Sequence, residues 1–396
     1  MDLLMVAPHL PCPSGGASTR SYHLLKALAR EHTVSLVALT TDTHDGMQDA
    51  MLTEIKLKQL IKVAFPPPWQ QTRIEYIISI LRSKSRLLDI HHVKNMQIAI
   101  DDIFTRDHYD AVLFESVFMA DYRLPRGTRI IIDEHNIEHE LLYRTYQREK
   151  AFVRKWYNWW ESRQVKLAEL ERCRNAQGVL VTSKREASLF KHFLPDSAIA
   201  VVPNGVDTEA FQQTSQEQPV PDRVIFTGSM DYYPNIDAAL YFARECWPLI
   251  RLKVPAATWQ IVGKNPPPAV QNLAQVPGIS VTGSVPDVKP YLVAATVAIA
   301  PLLIGSGTRL KILEALAMGK AVVSTSLGCE GLNVVAGKHL LVADQPEMFA
   351  QAVVDLLQNT KQRADLGITG RMLTETEYSW QRCGEDAIRA LEKIMR

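Results

Sequence analysis

The stretch GSGTRLKILEALAMGKAVVST at residues 305–325 decides the fold. An apolar run that ends at Leu302 precedes it and predicts a β-strand, and the glycines then predict a loop. Apolar residues spaced by three and four predict a helix over 308–318, and AVVST at 321–325 predicts the next strand. A strand, a helix and a second strand in this order indicate a parallel sheet covered by helices.

The same alternation of apolar strands and helices extends along the rest of the chain. In the second half, strands are predicted at 223–229, 258–263, 279–284, 296–302 and 339–343, and helices at 235–251 and 346–358. In the first half, strands are predicted at 2–8, 32–40, 109–116, 128–136 and 177–183, and a helix at 18–32. The sequence therefore predicts an α/β protein with two doubly wound, Rossmann-like domains.

The length of the chain agrees with two domains. Its 396 residues are too many for one ordinary core and suit two domains of about 200 residues each. The polar, proline-containing segment TSQEQPVPD at 214–222 predicts a linker between an N-terminal domain at 1–213 and a C-terminal domain at 223–378. Residues 379–396 predict a last helix, beyond the pattern of the second sheet, that is able to pack back on the N-terminal domain.

Composition excludes several classes of protein. The formal net charge of +1 gives no global reason to expect nucleic-acid binding. The five cysteines are scattered and predict neither a zinc site nor a disulfide framework, so a reducing, cytoplasmic setting is expected. The N-terminus lacks a basic leader, so we expect no signal peptide. The longest apolar stretch, 291–305, is short and contains Pro301, so we expect no membrane span.

The loop and helix start at 305–314 have the composition of an anion site. Gly305 and Gly307 permit close backbone approach, and Thr308 is a candidate helix cap. Free N–H groups and the helix dipole attract anions here, and Arg309 and Lys311 add positive charge where a diphosphate would lie.

Glu314 lies on the same helix face as Lys311 and can accept hydrogen bonds from two ribose hydroxyls. The alternative is an ordinary amphipathic helix with exposed charges and a Lys–Glu pair.

Three further motifs follow predicted strands. SGGASTR at 14–20 places Gly15 and Gly16 at the carboxyl end of the first strand, where open α/β sheets bind ligands, although a plain turn is an equal alternative. DEHN at 133–136 places His135 at the same edge, where it is either structural or a hydrogen-bond donor to a sugar. Gly228 follows the first strand of the second half.

Taken in order, these motifs resemble the GT-B glycosyltransferases, in particular the large retaining family of group 1 and family 4 type. The resemblance covers nearly the whole chain through VAPHLPCPSGGASTR, DEHN, VVPNGVD, GSMDYYPN and GTRLKILEALAMGKAVVST. Among subgroups the chain looks most similar to bacterial sugar transferases of exopolysaccharide assembly. The resemblance implies two domains facing a central cleft, a UDP- or GDP-linked sugar as donor, and a saccharide or lipid-linked acceptor.

The resemblance also assigns residues. It implies that Gly15 and Gly16 approach the donor phosphates, that His135 lies near the transferred sugar, and that Glu314 binds the ribose. The family's paired first glutamate is absent, because Ser306 occupies its position. The Arg and Lys that many relatives carry after the glycine matching Gly228 are absent as well, so we expect Arg309 and Lys311 to supply that charge.

The chain contains no D-x-D motif, the usual acidic holder of a metal in sugar transfer. Helix N-termini and two cations can stabilise a leaving diphosphate instead, so we expect neither a metal nor a bound cofactor. The resemblance implies retention of anomeric configuration. No carboxylate nucleophile stands out, so attack on the same face as the leaving phosphate is expected.

The acceptor side is open at the level of sequence. A long helical stretch at 141–174 contains nine Arg or Lys against four Glu, with Trp156, Trp159 and Trp160 among them. Such a surface could bind anionic lipid headgroups as a peripheral membrane contact. Aromatic residues at this spacing usually pack inward, and that is our expectation here. The stretch at 72–88 poses the same question.

Three rival functions remain. A nucleotide-sugar epimerase of the same fold would act on the donor alone. A NAD-dependent oxidoreductase would need G-x-G-x-x-G after the first strand, and SGGAST lacks that pattern. A non-catalytic nucleotide-sugar-binding protein is suggested by Ser306.

Overall fold

A computed structural model of the chain describes residues 1–13, 16–40, 51–65, 85–212 and 219–396. The fold consists of two compact units. The first contains Met1–Pro203 and Cys383–Arg396, and the second contains Asn204–Arg382. The units therefore divide between Pro203 and Asn204, ahead of the predicted linker at 214–222, of which residues 214–218 lie outside the described residues.

The first unit is built on a seven-stranded sheet. Its strands are β1 (Asp2–Ala7), β2 (Thr33–Thr40), β3 (Gln59–Ala64), β4 (Ala111–Glu115), β5 (Arg129–Glu134), β6 (Gly178–Val181) and β7 (Ile199–Val201). Their order is β3-β2-β1-β4-β5-β6-β7, and every pairing is parallel. The order reverses between β1 and β4, so the carboxyl ends of these strands flank the crevice where doubly wound sheets bind ligands.

Helices cover both faces of this sheet. They are α1 (Gly16–Glu31), α2 (Arg86–Ile90), α3 (Lys94–Arg106), α4 (Glu138–Arg148), α5 (Phe152–Asn175) and α6 (Lys184–Phe193). Leu3 and Met5 of β1 contribute to the core on one face of the sheet, and Leu4 and Val6 contribute to the core on the other. This alternation explains why β1 is apolar at every position from Leu3 onward.

The second unit repeats the architecture with six strands. They are β8 (Arg223–Thr227), β9 (Thr258–Val262), β10 (Ile279–Val281), β11 (Val297–Ala300), β12 (Ala321–Ser324) and β13 (Leu341–Val342). Their order is β10-β9-β8-β11-β12-β13, again all parallel. Its helices are α7 (Tyr233–Tyr241), α8 (Trp247–Lys253), α9 (Pro268–Gln271), α10 (Lys289–Ala294), α11 (Leu310–Ala317), α12 (Pro346–Gln358) and α13 (Thr360–Glu377).

The last helix, α14 (Trp380–Met395), belongs to the first unit from Cys383 onward. Ala387, Ala390 and Leu391 are buried in the same core as Leu3 of β1. Near the end of the helix, Arg129 Nη1 donates to the carbonyl oxygen of Met395 at 2.6 Å. The chain thus returns to its first domain to complete the core.

The structure corrects two expectations about the helices. The stretch at 141–174 is not one helix but two, α4 and α5, which are separated at 149–151. The expectation that its tryptophans pack inward is wrong for Trp156 and Trp159, which are both exposed. The sequence predicts no strand at β3, and it predicts at VVPNGVD (201–207) the strand that the structure places at Ile199–Val201 as β7. Of the stretch at 72–88, only residues 85–88 are described. Among the described helices, none is long and apolar enough to cross a membrane.

Candidate active site

Five buried polar residues gather at the carboxyl edge of the first sheet. We call this group the histidine cluster; it contains Arg20, Ser21, Glu115, Asp133 and His135. Arg20 and Ser21 come from α1, whereas the other three lie at or just beyond the ends of β4 and β5. Parallel pairing of these strands sets Glu115 opposite Asp133, so two carboxylates meet in the core.

Arg20 holds the cluster together. Its Nε and Nη2 donate to the two oxygens of Asp133 at 2.8 and 2.6 Å, and its Nη1 donates to the carbonyl oxygen of Val202 at 2.8 Å. This two-pronged pairing is the geometry in which a guanidinium binds a carboxylate most strongly. Burial alone would raise the pKa of Asp133, but the charge of Arg20 and the hydrogen bonds from His135 and Arg20 lower it well below the usual value.

His135 is held as a cation. Its Nε2 lies 2.8 Å from Glu115 Oε2 and 3.1 Å from Asp133 Oδ2. Burial alone would lower the pKa of His135, but hydrogen bonds and charges of Asp133 and Glu115 outweigh it and raise the pKa to about 9. Nε2 is therefore occupied, and within the described residues no group accepts a hydrogen bond from Nδ1. An imidazolium carries a proton on both nitrogens, so Nδ1 is available as a donor.

A second histidine, His9, lies near the cluster and has the opposite protonation state. Burial lowers the pKa of His9 to about 4, and the positive charge of His135 adds to this effect. His9 Nε2 is buried and has no hydrogen-bond partner among the described residues. His9 is therefore neutral at physiological pH, beside a charged His135.

The donor atoms of Glu115, Asp133 and His135 all lie within 4.8 Å of one another, close enough to hold a metal ion. However, both oxygens of Asp133 already accept from Arg20. The two carboxylates are thus matched by two protein cations, Arg20 and protonated His135. A divalent ion would have to displace them.

The second unit has a corresponding polar site, which we call the glycine-loop site; it contains Gly228, Asn235, Gly305, Arg309, Lys311 and Glu314. Lys311 Nζ donates to Asn235 Oδ1 at 2.6 Å and lies 4.3 Å from the centre of the Phe226 ring. A Cβ atom placed on Gly228 would lie 2.7 Å from the same Nζ. Lys311 therefore reaches from α11 to the loop after β8 and lies directly against it.

The two charged side chains on α11 have shifted pKa values. Burial and the positive charge of Arg309 lower the pKa of Lys311 to about 7. Burial raises the pKa of Glu314 to about 7, although Lys311 opposes this rise. Within the described residues the Glu314 carboxylate makes no hydrogen bond. An anion that binds beside Lys311 would favour its charged form.

Arg309 adopts a different position from the one its sequence suggested. Its guanidinium donates to the carbonyl oxygens of Ser306 and Gly307 within its own loop. A Cβ atom on Gly305 would lie 2.6 Å from Arg309 Nη2, so the glycine makes room for this fold-back. Arg309 is also the N-cap residue of α11, which has no side-chain cap, so the candidate cap at Thr308 is wrong.

A family model described as Glycosyltransferase Family 4 matches residues 14–210, and one described as Glycosyl transferases group 1 matches residues 221–359. The chain belongs to these glycosyltransferases. Together the two matches include both the histidine cluster and the glycine-loop site.

Solved structures of low sequence identity share the whole fold of this glycosyltransferase. Sucrose-phosphate synthase from Thermosynechococcus elongatus has a TM-score of 0.72 at 14% identity, with 100% of this chain and 99% of that chain covered. TarM of S. aureus, in complex with Fondaparinux, alpha-GlcNAc-glycerol and UDP, has a TM-score of 0.70 at 11% identity, with 100% of this chain and 99% of that chain covered. Anabaena Alr3699/HepE in complex with UDP has a TM-score of 0.68 at 13% identity, with 99% of this chain and 100% of that chain covered. The fold is therefore GT-B.

One curated relative is an uncharacterized 44.6 kDa protein in the cps region of Klebsiella pneumoniae. It is 22% identical to the glycosyltransferase over 163 residues, which are 39% of this chain. The match spans 42% of the length of that relative.

Several of the predicted site residues of the glycosyltransferase belong to one of these two polar sites. His135 lies in the histidine cluster, whereas Gly228, Lys311 and Glu314 lie in the glycine-loop site. Gly16 begins α1, and a Cβ atom there would have no neighbour within 4 Å. Gly15 lies outside the described residues.

Sequence reasoning missed Arg20, Glu115, His9 and Asn235. For Glu115 a signal existed, because LFES places an acid at the end of an otherwise apolar strand. For Arg20 and Asn235 no such signal existed, because the role of each depends on a hydrogen-bond partner more than 70 residues away.

Proposed function

We propose that this glycosyltransferase transfers a hexose from a UDP- or GDP-linked sugar to a saccharide or lipid-linked saccharide. The observation that carries the proposal is the position of Lys311. Its ammonium is held against Gly228 in a loop between a strand and a helix, where free N–H groups favour an anion. Structures of the same fold were solved with UDP and with UDP-glucose, which supports a nucleotide sugar as donor.

Lys311 replaces the bases that many relatives carry after the glycine matching Gly228. It approaches the loop from α11 rather than from the loop itself. Arg309, in this proposal, acts on the diphosphate mainly by shaping the loop of Gly305 and Gly307, because its guanidinium is turned onto loop carbonyls. Glu314 remains the candidate for the ribose hydroxyls, since its carboxylate is half-buried near Lys311.

His135 is the proposed catalytic residue of the first unit. Its Nδ1–H donates to a hydroxyl or ring-side oxygen of the transferred sugar, while Nε2–H stays bound to Glu115 and Asp133. No step in this scheme requires the histidine to lose its proton.

We propose further that transfer proceeds without a metal and with retention of configuration. Lys311 and the helix N-termini supply positive charge to the diphosphate, and the leaving phosphate itself accepts the acceptor proton on the same face. Turnover that survives a chelator supports this part of the proposal, whereas loss of turnover that added Mg²⁺ restores would reject it.

The acceptor and setting are proposed from weaker signals. The Klebsiella relative lies in a cps region, which favours a role in exopolysaccharide or other cell-surface glycan synthesis. All five cysteines lie within the described residues and are buried, and no disulfide joins them, which suits a cytoplasmic protein. We include peripheral association with the cytoplasmic face of the membrane in the proposal, because a lipid-linked acceptor would lie there.

The decisive experiment substitutes Lys311. Thermal-shift screening against UDP, GDP, ADP and their sugars first identifies the donor. Lys311→Ala should then raise the Kd for that donor by about 10- to 100-fold, since a charge-assisted hydrogen bond is lost. Lys361→Ala, an exposed lysine of the same unit, is the matched control and should leave the Kd unchanged. An unchanged Kd for Lys311→Ala would refute the assignment.

The pH dependence sharpens the same test. The lysine must be protonated to bind a diphosphate, and its pKa in the free protein is about 7. Donor affinity should therefore be highest below pH 7 and fall as the pH rises above it, and Lys311→Arg should flatten this dependence.

Incubation with donor alone tests the epimerase alternative, because an isomerised sugar would appear without any acceptor.

A further inference from the structure

The hairpin of α4 and α5 has an apolar tip that the core does not use. Phe152 and Val153 are 84% and 78% exposed, and Trp156 and Trp159 are 45% and 37% exposed. The buried residues of α5 begin only at Glu161. The first nine residues of this helix, about 13 Å of its length, therefore extend beyond the core.

Positive charge surrounds these apolar side chains. The basic residues between 148 and 163 are Arg148, Lys150, Arg154, Lys155 and Arg163. Only two acids occur in the same span. Glu161 is buried and accepts from Ser85 Oγ at 2.7 Å, and Glu149 accepts from the backbone N–H of Ala151. The tip is thus strongly cationic at its surface.

The cations and the aromatic rings are neighbours. Arg163 lies 5.3 Å from the ring centre of Trp159, and Lys155 lies 5.4 Å from that of Tyr146. Tryptophan rings prefer the boundary between lipid headgroups and acyl chains, while Lys and Arg bind the headgroup phosphates. Interleaved rings and cations on one helix end match both layers of that boundary.

We propose that this tip, residues 148–163, docks on an anionic lipid bilayer. Phe152, Val153 and Trp156 enter the headgroup–acyl boundary, and the surrounding Lys and Arg side chains bind phosphates. A second copy of the chain is a poorer occupant, because two cationic tips repel each other. Docking would place the first unit where a lipid-linked acceptor is available. The purpose of the docking therefore rests on the proposed function.

Vesicle sedimentation with the full chain tests the surface. Vesicles of phosphatidylcholine alone are compared with vesicles that also contain anionic phosphatidylglycerol. The wild type should bind the anionic vesicles at least about tenfold more tightly, because several cations face the membrane. Phe152→Ser with Trp156→Ser should weaken that binding at least about tenfold. Both side chains are exposed, so the variant should fold normally.

Two controls accompany this variant. Leu252→Ser with Ile368→Ser removes two other exposed apolar side chains, from the second unit, and should leave binding unchanged. Lys150→Ser with Arg154→Ser and Lys155→Ser should weaken binding about tenfold or more and reduce its dependence on salt.

Clear outcomes would overturn the proposal. They are no binding to either vesicle, equal binding to both, or a concentration-dependent dimer that Phe152→Ser with Trp156→Ser abolishes. Donor affinity of each variant is measured in solution without vesicles. Lost vesicle binding with unchanged donor affinity in the tip variant supports the surface independently of the enzyme. Vesicle binding by a protein without donor affinity would retain the surface and reject the proposed function.

Discussion

At the scale of single residues, His135 differs from a solvent-exposed histidine because its protonation is set by two buried carboxylates. Asp133 is one of them, and both of its oxygens also accept from Arg20. Glu115 supplies the second charge and also accepts from Ser21 Oγ. The four charged groups together are neutral, which allows them to remain buried. The cluster thus presents one fixed N–H donor, at Nδ1, at neutral pH.

This arrangement predicts a pH-dependent stability. The folded pKa of His135, about 9, lies above the unfolded value of 6.5, so its contribution is complete below pH 6.5 and disappears as pH rises through 9. The loss should be at most about 3 kcal/mol. Calorimetry at pH 6.5 and at pH 9 should show a smaller loss of unfolding free energy for His135→Asn than for the wild type. His192→Asn, an exposed histidine, is the control and should behave as the wild type does.

An equal loss in wild type and His135→Asn would show that another group causes the pH dependence. At acidic pH the dependence of stability on pH has the opposite sign. The folded pKa of Asp133 is depressed, so its contribution is present above its unfolded pKa and is lost as pH falls below that value.

At the scale of elements, the glycine-loop site depends on close contact between the ends of two strands. Gly228 follows β8 with φ of +150°, and a Cβ atom on Gly263, after β9, would lie 1.7 Å from the carbonyl oxygen of Gly228. That oxygen belongs to the backbone and cannot turn aside. The loop that receives Lys311 is therefore positioned by a neighbouring strand without any side chain between them.

Gly263→Ala should consequently destabilise the second unit by about 3 kcal/mol, because the backbone must move to admit the methyl group. It should also weaken donor binding, since Gly228 shifts. Gly337→Ala is the matched control. Gly337 has φ of +78° but no atom within 4 Å of its Cβ position, so its cost is strain alone, about 1 kcal/mol. Urea unfolding of both variants gives the comparison, and a Gly263→Ala loss no greater than the control's would contradict it.

The elements also show what the sequence could and could not predict. Strands with apolar residues on both faces, such as β1 and β12, were predicted because full burial leaves a continuous apolar run. β3 was missed because it is an edge strand of its sheet and is only partly buried. The break at 149–151 contains neither glycine nor proline, so it gave no signal.

The candidate site was predictable to the same extent. His135, Lys311 and Glu314 follow strands or begin a helix, and these local positions are visible in the sequence. The roles of Arg20 and Asn235 come from hydrogen bonds to Asp133 and Lys311, which only the folded chain brings near. The fold-back of Arg309 likewise could not be read from its place in the motif.

At the scale of the whole molecule, the first domain is completed by the last residues of the chain. The core around Leu3, Leu25 and Leu28 includes Ala387 and Leu391 of α14. A core shared by both ends of the sequence cannot be complete until the entire chain is present. The first unit is therefore expected to depend on α14 for its stability.

Leu391→Ala tests this dependence. Leu391 is fully buried, so the substitution leaves a cavity in the first unit and should cost about 2 to 5 kcal/mol. Met372→Ala changes an exposed side chain on α13 of the second unit and should cost little. Hydrogen exchange should show faster opening of β1 and β2 in Leu391→Ala, with β8 and β11 unchanged. Equal effects on both sheets, or none on β1, would mean that the first core does not need the helix.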